Sequence, residues 1–71
     1  MTNKPIRTVE EVAAIARSFL ISHDYKYAKL TKVGYKKEDD AWILTFDVGV
    51  LDTELKTVKV SDENGKVIGF E

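Results

Sequence analysis

A chain of 71 residues and 8.0 kDa has room for one domain, which buries about 60 % of the surface its unfolded form would expose. Hydrophobic residues make up 44 % and charged residues 32 %, the balance of a globular domain rather than a disordered or fibrous one. The absence of cysteine excludes a disulfide framework and a thiolate metal site, and a net charge of −1 points to neither nucleic acid nor a membrane surface.

The first element is a helix over about 9–22. Thr8 and Glu11 have the spacing of a capping box, with the hydroxyl accepting from the Glu11 amide and the carboxylate reaching back. Glu10 and Glu11 lie in the first turn, where the helix dipole favours negative charge. Val9, Val12, Ala13, Ala16, Phe19 and Leu20 recur at helical spacing, Ile15 widens the stripe, and His23-Asp24 closes the segment.

Strands follow. A first strand over about 27–37 is rich in Tyr, Thr, Val and Lys. Leu30 falls on one face and Val33 and Tyr35 on the other, so a bulge is expected near Thr31-Lys32 or Gly34. After the polar turn Glu38-Asp39-Asp40, a second strand over about 41–50 alternates cleanly. Trp42, Leu44, Phe46, Val48 and Val50 share one face, and Ala41, Ile43, Thr45, Asp47 and Gly49 share the other.

Third and fourth strands are expected over about 55–61 and 66–70. A three-residue loop with Gly65 in the left-handed region pairs Asp62 with Lys66, Val60 with Ile68 and Val58 with Phe70. The expected architecture is α+β: one N-terminal helix packed on a mainly antiparallel three- to four-stranded sheet. Its second face, with Ile43, Leu55 and Val67, is left for solvent or a partner.

Few residues suggest chemistry. His23 is the sole histidine and fits the end of a helix better than a triad. Asp62-Glu63-Asn64-Gly65 echoes a calcium loop, but Val60 stands where the first acid is required, and turn chemistry accounts for the segment. Asp47 and Glu54 read as solvent charges. No catalytic residue, metal or cofactor is expected.

The charge is split unevenly. Residues 1–37 carry eight basic and three acidic side chains, and residues 38–71 carry three and nine, giving +5 against −6. Tyr27 and Tyr35 interleave with Lys29, Lys32 and Lys36 in the first strand, a pattern that could stack bases and neutralise phosphates on an open sheet. The competing explanation is cross-strand charge pairing, with lysines protecting an edge strand.

Trp42-Ile43-Leu44-Thr45-Phe46-Asp47-Val48, after a helix and a strand, and the closing run Thr57 to Ile68 around Asp62 and Gly65 together resemble the PepSY-like domain. In this chain the step from Asp62 to Gly65 is one residue shorter than in that pattern. The acidic turn before Trp42 is also similar to the accessory protein O family of gas vesicles. The PepSY-like resemblance implies a non-catalytic module that binds a protein partner or a second copy through its sheet face or edge. No stretch approaches the ~18 apolar residues of a membrane span, and Met1 to Pro5 lead into a charged segment, so a cytoplasmic location without membrane contact is expected.

Overall fold

The computed structural model describes residues 5–71; the reading of Met1–Lys4 as free of an apolar leader falls outside them. A helix α1 (Val9–Ser22) precedes strands β1 (Lys29–Lys36), β2 (Ala41–Asp47), β3 (Leu55–Ser61) and β4 (Val67–Phe70), with a 3-10 turn at Lys37–Asp39. All neighbouring strands are antiparallel, in the spatial order β1-β2-β3-β4. The fold is α+β. Among the described residues no helix is long and apolar enough to cross a membrane.

Half of the capping box forms. Thr8 Oγ1 accepts from the Glu11 amide at 3.2 Å, but the Glu11 carboxylate turns to Arg7 at 2.9 Å instead of returning to the cap. Val12, Ala16 and Leu20 are fully buried along one side of α1, which lies over β2, β3 and β4. They meet Trp42, Leu44, Phe46 and Val48 from the β2 segment and Val58 and Val60 from β3. Arg17 sets its guanidinium 5.9 Å from the Phe46 ring centre, a cation–π contact at the rim of the core.

The parity conflict in β1 is resolved by a bulge. Register shifts between Leu30 and Lys32, so Leu30 pairs with Phe46, Val33 with Leu44 and Tyr35 with Trp42, all on the helix side. The strand starts at Lys29, two residues later than its composition suggested, and Tyr27 lies outside it.

β2 ends early, at Asp47 rather than residue 50. The Asp47 carboxylate accepts from the Gly49 amide at 3.0 Å and the Glu54 amide at 3.1 Å, which curls the chain into a loop. Gly49 is required there, since a Cβ would lie 1.6 Å from the Asp52 carbonyl oxygen. Val50, expected on the core row, is carried out with the loop and is 82 % exposed.

The final hairpin also departs from expectation. Val58 pairs with Phe70, but Val60 faces Val67 rather than Ile68, which becomes the extra residue of a bulge. Ser61 closes the turn, donating to the Lys66 carbonyl and accepting from the Gly65 amide. Asp62 does not pair with Lys66, because its amide donates to the Asp40 carbonyl and its side chain is engaged elsewhere. Gly65 has the expected positive φ of 72°, and the Arg7 guanidinium sits where a Cβ would go.

Candidate functional site

One helix covers one face of the sheet, so the other is the place to look for recognition. Register assembles that face in rows. Gly34, Ile43, Lys59 and Gly69 cross its middle, with Lys32, Thr45, Thr57 and Glu71 alongside and Lys29, Asp47 and Leu55 beyond. The missing side chain at Gly69 leaves a shallow depression of ≈ 240 Å³, bounded by Ile43, Thr57, Lys59, Phe70 and Glu71. A Cβ added at Gly69 would meet that of Lys59 at 3.3 Å, so even alanine would begin to fill it.

Charge on this face is mixed rather than massed. Asp39 Oδ2 receives Lys59 Nζ at 3.0 Å and stands 3.9 Å from Lys36 Nζ. The Lys59 hydrogen bond, reinforced by its charge, holds the Asp39 carboxyl below its usual range. Lys29 stands across from Asp47. Between the two halves of the chain Lys36 pairs with Asp39 and Arg7 lies beside Asp62, while among the described residues Lys29 and Lys32 are in no ion pair.

The structure separates the residues that the sequence grouped. Ile43 is half-buried in the depression and Leu55 is exposed at the far end of the same face. Val67 is turned by the β4 bulge onto the opposite side, where it packs against the core. Lys29, Lys32 and Lys36 share the open face, but Tyr35 does not. Its ring lies against Trp42 at 5.3 Å and its hydroxyl donates to Asp40 at 3.1 Å. Partial burial, then the hydrogen bond to Asp40 and its charge, pushes the Tyr35 phenol up. A lysine–tyrosine platform on one face is therefore not assembled.

The groups considered for chemistry have structural tasks. His23 Nδ1 is 2.9 Å from the Phe19 carbonyl oxygen, and its ring lies 4.2 Å from the Phe19 ring at the end of α1. Asp47 holds the β2–β3 loop.

Asp62 is the residue that sequence reasoning missed. It is buried at 3 % exposure and accepts from the Ile6 and Arg7 amides at 2.8 and 2.9 Å and from Trp42 Nε1 at 3.0 Å. Arg7 Nε donates to its carbonyl at 3.1 Å. Burial pushes this carboxyl up, but the Ile6 and Arg7 amides, then the indole, then the Arg7 charge more than reverse that, and it ends below its usual range. The available signal was the indole itself, since a core tryptophan needs an acceptor.

Comparison with known protein families, characterised proteins and solved structures finds no significant match.

Proposed function

We propose that this chain is a non-catalytic protein-interaction module of the cytoplasm that docks a polypeptide segment on the open face of its sheet. The observation that carries the reading is the depression beside Ile43, an apolar recess on the face that α1 leaves uncovered. Glu71 at its rim offers an anion to a bound main chain or to polar side chains, and the stem of Lys59, whose ammonium is held by Asp39, adds apolar surface. The resemblance to PepSY-like domains points the same way. So does the employment of His23, Asp47 and Asp62 in holding the fold, which leaves them poorly placed for acid–base work.

A photo-crosslinking residue placed at Thr57, inside the recess, tests the proposal in cells against the same residue at Ser18 on the exposed side of α1. Thr57 should capture one defined polypeptide that Ser18 does not. That polypeptide, once purified, should bind the wild-type chain and lose at least tenfold in affinity toward Ile43→Asp, with circular dichroism unchanged. Equal labelling from both positions, or binding indifferent to Ile43→Asp, would remove the open face from the account.

Nucleic-acid binding is the alternative the lysines raise. Tyr35 faces away from them and Asp39 and Asp47 stand among them, which disfavours stacking and phosphate contact. Labelled single- and double-stranded oligonucleotides at low salt are expected to show no binding up to about 100 μM, the upper end of the usual non-specific range. Binding that weakens steeply with salt and vanishes in the Lys29→Ala, Lys32→Ala, Lys36→Ala triple variant would reinstate it.

A further inference from the structure

The two edges of the sheet are built differently. β1 carries Lys29, Lys32 and Lys36 along its length and is broken by the bulge at Thr31, devices that keep an edge from pairing with another chain. A second copy docked there would set lysine against lysine. β4 is less defended: Val67-Ile68-Gly69-Phe70 contains no charge and no proline, and beyond its own bulge at Ile68 the residues Gly69 and Phe70 pair regularly with β3.

Glu71 exchanges both of its backbone hydrogen bonds with Thr57 on β3. By antiparallel alternation, Phe70 turns its own N–H and C=O to the free edge. Ile68 is 54 % exposed and Phe70 36 %, so apolar side chains accompany those unpaired groups. The strand is flanked by Lys66 on one side and Glu71 on the other, and among the described residues neither is in an ion pair.

We propose that β4 is a self-pairing edge, and that two copies of this chain join antiparallel across it into one continuous eight-stranded sheet. A two-fold axis near Gly69 sets Ile68 of each copy beside Phe70 of the other, with no side chain at the centre to keep the backbones apart. The same operation brings Lys66 of each copy to the Glu71 end of the other, so charges match at both ends. This complementarity selects a second copy over an unrelated strand, because it comes from one short sequence read in both directions. An interface four residues long belongs to the weak class, below about 1,200 Å², so the dimer forms and dissociates with concentration.

Sedimentation equilibrium of the full chain at low salt tests this. Mass should climb from 8.0 kDa toward twice that value as concentration rises toward ~1 mM. Ile68→Lys, at an exposed position, should hold the mass at the monomer value with circular dichroism unchanged. Lys66→Glu or Glu71→Lys alone should weaken association about tenfold, and the two together should restore it. A wild-type chain still monomeric at ~1 mM, or a dimer undiminished by Ile68→Lys and by the single charge reversals, would overturn the pairing. The pairing stands apart from the docking role of the open face. A monomer that still captures its partner from Thr57 would sink the edge alone, and a β4 dimer that captures nothing would sink only the docking role.

Discussion

Asp62→Ala is expected to destabilise the fold by about 2–4 kcal/mol, read as a lower urea midpoint with an unchanged slope. The Trp42 indole N–H is buried and loses its acceptor, and an orphaned buried donor carries its full desolvation cost. The Ile6 and Arg7 amides are only partly buried and can turn to water, which keeps the effect below the sum of three charged hydrogen bonds. Asp62→Asn should cost less, since its amide oxygen can keep the Trp42 and Arg7 bonds and its NH2 faces only the partly buried Ile6 amide.

Acid provides a second readout. The folded carboxyl titrates below the ordinary 3.8, so the stability it contributes is fully present above that value. That stability is lost as pH falls through the folded pKa. Wild-type stability should therefore decline below about pH 4, and Asp62→Ala should flatten most of that slope. A smaller dependence in the same window remains from Asp39, whose carboxyl Lys59 also holds down. A variant with wild-type midpoint and wild-type acid slope would show that the indole and the two amides do not depend on Asp62.

Asp62 also marks where local reading of the sequence stops. Helix α1 is legible because its apolar residues repeat at helical spacing after Thr8, and β2 because a strict two-residue alternation runs from Trp42 to Phe46. Even the bulge in β1 is legible, since Leu30 and Val33 cannot both face the core without one. Each of these signals lies within a dozen residues.

The β4 register is set from far away. Asp62 is drawn inward by Ile6, Arg7 and Trp42, the turn lengthens to accommodate it, and Ile68 becomes the surplus residue that returns Phe70 to Val58. Nothing between Ser61 and Phe70 announces those contacts. One of the three residues expected on the open face fails for the same reason, because the bulge moves Val67 onto the core side while Ile43 and Leu55 stay on the open one. The end of β2 at Asp47 was readable in principle, since an Asp two residues before a Gly is a familiar turn signal. The apolar Val48 and Val50 beyond it carried the alternation past the true end.

The largest single effect is expected from Phe46→Ala. Phe46 is wholly buried, lies over the middle of the sheet opposite Leu30 and Lys56, and takes Arg17 against its ring. Truncating a buried phenylalanine costs about 3–5 kcal/mol, the lost transfer free energy plus the cavity left behind. At roughly 0.05–0.15 kcal/mol per residue the whole domain is stable by only about 4–11 kcal/mol. The core cannot relax far into the gap: Val12, Ala16 and Leu20 come from one rigid helix, and no second layer stands behind them. Phe46→Ala should therefore be largely unfolded or molten at 37 °C, with lost near-ultraviolet dichroism and a collapsed urea midpoint. Leu51→Asn, at a loop position 95 % exposed, removes as apolar a side chain yet should shift stability by no more than about 0.5 kcal/mol. If the two substitutions behaved alike, the core would not lie between α1 and this face of the sheet, and the opposite face could not be the free one on which recognition is proposed.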